Sequence, residues 1–220
     1  MNTTFPSLPG SSPVSGETGD GAGPEGPPVS LRQRQQLRTR QDLVRAVIGI
    51  ISAGGLGAAT IERITTRAGA SRATLYAHFP GGRTDLIAEA YQTVGRDLIQ
   101  AAERDAARHS EWIDRLCAYP RAMLELSSQR ELGLFYNVSG PQLVGMQHRG
   151  TGSQRTLDAM IAGLLHAQES GEVSPQLDVE AIAALLVGAI REAGIDTSRD
   201  PSTAPRRLNA FRQLLEAIRT

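Results

Sequence analysis

Three features of the chain predict an all-α fold. Beyond the first 30 residues Ala, Leu, Ile, Gln, Glu and Arg dominate, and these residues favour helix. Apolar residues recur at intervals of three and four, the period of a helix with one buried face. No stretch sustains the alternation of Val, Ile or Thr that marks a strand. At 220 residues, 40% of them hydrophobic, the chain can hold one large domain or two small ones and can bury a real core.

Residues 1 to 30 hold half of the prolines, six glycines and little apolar content, so this segment is expected to be disordered. It is either a tail without function or an arm that touches DNA, and its lack of Arg argues against the arm. Residues 31 to 53 read as the first helix. Leu37, Val44, Val47, Ile48 and Ile51 fall at helical spacing, and Arg32, Arg34, Arg38 and Arg40 occupy the first turns. Gly54 and Gly55 stop it. Thr60 is placed to cap a second helix, with Glu62 favourable in its first turn. Ile61, Ile64 and Ala68 make the apolar face of that helix. Gly69 can then take the left-handed conformation that reverses the chain. Ser71 follows as an N-cap for a third helix, whose apolar face is Leu75 and Phe79, four apart. Its outer side, with Arg72, Thr74, Tyr76 and His78, is too polar for a core. Helix, tight glycine turn and capped helix make the pattern of a helix-turn-helix.

Net charge is zero, yet the charge is segregated. Every one of the 23 basic residues is Arg. Residues 31 to 83 hold nine Arg against Asp42 and Glu62, a net of +7, whereas residues 84 to 220 carry a net of −4. Positive charge therefore sits on the helix-turn-helix segment, where a polyanion would dock.

The run Gly69-Ala70-Ser71-Arg72-Ala73-Thr74-Leu75-Tyr76-Ala77-His78-Phe79-Pro80 resembles the recognition-helix signature of the tetracycline-repressor (TetR) family of bacterial transcriptional regulators. The similarity extends back to Thr60 and forward through Asp85 and Leu86, covering residues 36 to 95. It implies an N-terminal DNA-binding domain, residues 31 to 83, and a helical effector-binding and dimerisation domain, residues 84 to 220. Arg72, Thr74 and Tyr76 are expected to approach base edges, with Ser71 at the head of their helix. Thr60, Tyr76, Arg38 and Arg40 are expected to face phosphates, and His78 either meets phosphate or packs on the next helix. The chain departs from the common pattern after Pro80. Gly81-Gly82-Arg83-Thr84-Asp85 is one residue longer than the usual Ser-Lys-Glu opening, and Arg83 is expected in the role of the phosphate-contacting lysine.

The fourth helix is expected from about residue 84 to 108, with Leu86, Ile87, Ala90, Tyr91, Val94, Leu98 and Ala101 as its buried stripe. Ser110 can cap a helix over residues 111 to 129, which Pro120 should kink or divide. Residues 131 to 137 and 141 to 148 are shorter pieces, residues 150 to 152 a loop, and residues 154 to 169 a further helix. Asp178 caps a helix to about residue 193, and residues 201 to 219 hold the last.

Within the C-terminal part, Trp112, Tyr119, Met123, Phe135, Tyr136, Leu143 and Met146 are candidate lining for an apolar effector pocket. Asn137, Gln142 and His166 could supply polar contacts. The competing reading of every one of these is plain core. Residues 181 to 190 are apolar on all sides, the pattern of a helix buried all round. Ala184, Leu185 and Gly188 here, with Phe211 and Leu215 of the last helix, are expected to pair with their copies in a second subunit, the alternative being an intrachain core helix. A two-fold dimer sets its recognition helices roughly 34–36 Å apart, so the expected target is an inverted-repeat operator in double-stranded DNA.

Cys117 is the only cysteine, which suits a reducing cytosol and leaves core packing as its role. The N-terminus has neither the basic nor the apolar region of a secretory signal, and no apolar run is long enough to span a bilayer, so a cytoplasmic protein is expected. His109, His148 and His166 lack ligand spacing, so no metal is expected. No Ser/His/Asp, Cys/His or paired-carboxylate arrangement and no phosphate loop can be assembled, so neither enzymatic activity nor a cofactor is expected. The leading expectation is a dimeric repressor released by a small apolar ligand. An activator or an effector-independent DNA-binding protein of the same fold is the alternative.

Overall fold

A computed structural model describes residues 30–144 and 151–220 of the chain. The expectations for residues 1 to 29 and for Met146 and His148 lie outside the described residues. Within them the chain is all-α, as its composition requires, with one isolated bridge between Val173 and Arg219.

Helix α1, Leu31–Gly54, opens on a capping box. The Ser30 hydroxyl accepts from Gln33 N at 3.2 Å, and the Gln33 side chain returns to Ser30 N at 2.9 Å. Ser30 thus belongs to the helix start rather than to the tail. Only the second half of α1 is buried, through Leu43, Val44, Ala46, Val47, Ile50 and Ile51. A 3₁₀ turn, Leu56–Ala58, leads to α2, Ile61–Ala68, and α3, Arg72–His78. Helix α4, Arg83–Ala106, buries Leu86, Ile87, Ala90, Val94 and Leu98 of the expected stripe, leaves Tyr91 and Ala101 half-buried, and buries Gly95, Ile99 and Ala102 besides.

Helix α5, Trp112–Ser128, begins behind Glu111 with no side-chain cap and runs through Pro120 undivided, contrary to the expected break. Pro120 is itself buried, as are Leu116, Cys117, Ala118, Ala122 and Leu124 around it, so packing on several sides outweighs one missing N–H. After α6, Arg130–Leu134, a π-turn over Phe135–Ser139 leads into α7, Gly140–Val144. The wider turn buries three consecutive side chains, Phe135, Tyr136 and Asn137, which an ordinary helical face does not do. Helix α8, Thr151–Glu169, starts earlier than expected. Helix α9, Val179–Arg199, runs longer than expected from its Asp178 cap, and a 3₁₀ turn, Pro201–Thr203, joins it to α10, Ala204–Ala217.

Two apolar clusters make the core. The first joins α1 to α4 with Ala122, Leu132, Phe135 and Tyr136, crossing the sequence division expected at residue 83. The second packs α5 against α8, α9 and α10 around Trp112, Leu116, Met160, Leu164 and Leu215. Tyr119 and Met123 of α5 touch both clusters, so α5 is one element through which the two halves meet, beside the packing of α4 on α8 and of α6 on α9. Among the described residues no helix is long and apolar enough to cross a membrane.

Candidate nucleic-acid interface

Thr60 accepts from Arg63 N at 3.3 Å and starts α2, with Glu62 in the first turn. Gly69 ends α2 at φ 63°, ψ 31°, and the next N–H, of Ala70, reaches back to Thr65 O at 3.0 Å. These are the six-to-one bond and left-handed residue of a glycine helix stop. Two residues later Ser71 accepts from Thr74 N at 3.0 Å, and its hydroxyl lies 2.8 Å from that of Thr74. Only Leu75 of α3 is buried, with Phe79 just beyond it. Arg72, Ala73, Tyr76 and Ala77 therefore form an exposed face one side of the helix long, with Thr74 and His78 half-buried at its edges.

The insertion after Pro80 has a local cause. Gly82 sits at φ 63°, and a Cβ there would lie 2.9 Å from the Tyr76 ring. The Asp85 carboxylate closes the same turn by accepting from Gly81 N at 2.6 Å. Tyr76, 48% exposed, is thus braced against the turn while its rim stays open to solvent.

Two arginines expected at phosphates turn inward instead. Arg83 Nε donates to Ala59 O at 2.7 Å and its Nη2 to Leu56 O at 2.9 Å. Leu56 O also accepts from Ala59 N at 3.2 Å within the 3₁₀ turn, and the planar guanidinium meets it and Ala59 O at once. Arg40 Nη1 donates to His78 O at 2.9 Å, its Nη2 to Glu89 Oε2 at 2.8 Å, and its guanidinium lies 4.3 Å from the centre of the Phe79 ring. Arg38 stays exposed on α1. Glu89, unremarked in the sequence, also accepts from Arg96 at 3.1 Å. Burial alone would raise its pKa, but the bonds from Arg40 and then Arg96 outweigh it and hold the carboxyl below the ordinary glutamate range.

Residues 43–90 match the family model of bacterial regulatory proteins, tetR family. The helix-turn-helix segment is thus similar to that of the tetR family, and the likeness of the rest is one of fold. Among curated protein sequences none matches the chain. Solved structures resemble it over nearly its whole described length. A TetR-family transcriptional regulator from Pectobacterium atrosepticum has a TM-score of 0.68 at 19% identity, covering 84% of this chain and 94% of its own. A fatty acid degradation regulator from Bacillus halodurans gives 0.67 at 15% identity, over 80% and 94%. A protein whose structure concerns the control of antibiotic production by bacterial hormones gives 0.69 at 16% identity, over 84% and 99%.

In the C-terminal half of the chain the sequence candidates scatter. Trp112 is buried and donates through its indole N–H to Glu172 Oε2 at 3.1 Å. Phe135 and Tyr136 are buried beside Tyr91, whose ring stacks on Tyr136 at 5.2 Å and meets Phe135 edge-on at 6.2 Å. Asn137 is buried and donates to Ser127 Oγ at 3.0 Å and Gly133 O at 3.1 Å. Tyr119 and Met123 are half-buried between the two clusters. Leu143 and His166 are exposed, so neither faces an interior pocket with the others.

The candidates for pairing divide as well. Ala184, Leu185 and Gly188 lie on an exposed face of α9, with Leu185 70% exposed, so the helix is not buried all round. Phe211 and Leu215 point the other way. At 5% and 0% exposure they are core residues of their own chain, packed in the cluster with Trp112 and Leu116. Leu214, 53% exposed, is the neighbour that faces out. The apolar stripe of α10 is wide enough to cover both directions, and spacing alone cannot say which residues of it face inward.

Proposed function

We propose that this regulator is a dimeric repressor that binds an inverted-repeat operator through α3 and is released by a small apolar ligand. The observation that carries the DNA half is the outer face of α3. Arg72 and Tyr76 stand out from a capped, braced helix on the segment whose charge is +7. Arg can fork onto a guanine edge, and such a pair is worth about 1–3 kcal/mol of discrimination. Pairing is supported by the exposed apolar face of α9 and α10, which a lone chain leaves to water. A cytoplasmic location follows from the DNA partner.

Tyr119 and Met123, between the clusters, are where an apolar ligand would part the two halves. A second reading, an effector-independent regulator, is favoured by the in-chain partners that already occupy Trp112 and Asn137. Recovery of bound sequences from random duplex DNA tests the first half. Two half-sites in inverted order, with affinity falling steeply as salt rises, are expected, and enrichment of no sequence sinks it. The recovered duplex then reports on release. Fatty acids and small hormone-like molecules head the panel, because two of the similar structures concern a fatty acid degradation regulator and bacterial hormones.

A further inference from the structure

Helix α3 is poorly anchored by apolar contact. It is seven residues long and buries Leu75 alone, with Phe79 at its end. Its C-terminal end is held by a polar connection. Arg40, on α1, spans from His78 O, at the end of α3, to Glu89 on α4, while its guanidinium covers the Phe79 ring. Both oxygens of Glu89 are engaged, since Arg96 takes the other and donates also to Thr93 Oγ1 at 2.7 Å. A cation at the C-terminal end of a helix is favoured by the carbonyls there and by the dipole. An Arg stacked on an aromatic ring adds a cation–π contact.

We propose that Arg40 is a positioning residue: with Glu89 it forms a tether that sets the angle of the recognition helix against α4, and it is not a phosphate contact. The proposal rests on the DNA-binding reading above. The tether joins α1, the end of α3 and α4 at one guanidinium. Any shift of α4 against α1 changes the Arg40–Glu89 distance and reaches His78 O through the same guanidinium. Arg40, Glu89 and Arg96 themselves line an open groove between α1 and α4, of about 460 Å³, together with Leu37 and Val44. Water reaches the tether there, and the side chains of Arg40 and Glu89 remain 40% and 29% exposed, so it can open without unfolding the domain.

Electrostatics gives the test its sign. Glu89→Gln removes a negative charge from a DNA-binding domain, so by charge alone it should strengthen binding to every duplex. If the tether positions α3, the same substitution weakens binding to the operator. Full-length wild type, Glu89→Gln, Arg40→Gln and Arg40→Lys are titrated by fluorescence anisotropy against the recovered inverted repeat and a scrambled duplex, at several salt concentrations. For Glu89→Gln and Arg40→Gln the expected result is a loss of about tenfold on the inverted repeat, with the salt slope kept and the scrambled duplex changed by no more than about twofold. Arg40→Lys should also lose operator affinity, because one ammonium lacks the planar fork that reaches both His78 O and Glu89. Operator binding by Glu89→Gln as tight as wild type overturns the tether. So does an equal loss on both duplexes by Arg40→Gln with a salt slope lower by about 1, the behaviour of a phosphate contact. Thermal unfolding is followed in parallel, and Glu89→Gln, which keeps the size of the side chain, carries the test if Arg40→Gln does not fold. A wild type that binds no duplex overturns the DNA-binding reading itself, a different failure from either of these.

Discussion

At Gly82 the backbone stands at φ 63°, ψ −125°, a sparsely populated region that costs an L-residue about 1–3 kcal/mol. The ring of Tyr76 occupies the space where a Cβ would be, 2.9 Å away. Gly82→Ala should therefore combine backbone strain with displacement of Tyr76, lowering stability by about 1–3 kcal/mol. Thermal unfolding against Gly57→Ala makes the comparison. Gly57 has ordinary φ and nothing within 4 Å of a built Cβ, so that substitution should be near neutral. Equal melting temperatures for the two variants would mean the turn is not constrained. Gly69 and the Ser71 cap were legible from the sequence because their conformational demands are local, made and met within a few residues. The Gly81–Gly82 pair read only as an insertion, since its cause is a ring six residues earlier. The Arg40–Glu89 pair left no trace at all. Its members are 49 residues apart and each looks like an ordinary solvated charge.

Between helices, most polar ties are exposed ion pairs that contribute little, but one joins α10 to α5 beside the second core. Arg212 pairs with Asp114, and that hydrogen bond holds the Asp114 carboxyl below the ordinary aspartate range against a smaller opposing effect of burial. A carboxylate depressed in the folded state contributes stability that is present above its unfolded pKa and lost as pH falls through the folded one. Unfolding midpoints followed downward past the ordinary aspartate value of 3.8 should thus fall less steeply for Asp114→Asn than for wild type. Parallel acid limbs would remove the pair from the account. Helices α1 to α4 were readable as elements because each carries one apolar stripe and clear stops. Helices α5 and α10 were harder. Pro120 looked like a break, yet the helix passes it because the residues on either side are buried in two directions. In α10 the stripe holds Phe211, Leu214 and Leu215, and which of them turns outward depends on where α5 and α9 lie, a tertiary fact.

Taken whole, the molecule is two apolar clusters joined through α5, with a basic three-helix end and an exposed apolar face at the other extreme of the sequence. That face leaves large apolar side chains in water. Leu185 and Leu214 are 70% and 53% exposed, and Ala181, Ala184 and Gly188 beside Leu185 leave room for another helix to approach. The proposed pairing of two copies covers it. It also supplies what α3 lacks, because seven residues with a single pair of large outward side chains read few base pairs. Leu185→Glu separates these effects. The side chain touches solvent rather than core, so helix content and melting of the single chain should stay close to wild type once oligomeric state is taken into account. Two like charges brought together at a two-fold axis oppose pairing. Sedimentation should show a dimer for wild type and a monomer for the variant. Operator affinity should fall by at least about tenfold because the second half-site is no longer bound within the same complex. A variant that stays dimeric with full affinity would place the pairing surface elsewhere. A monomeric wild type that binds an inverted repeat would leave α9 and α10 facing a different partner.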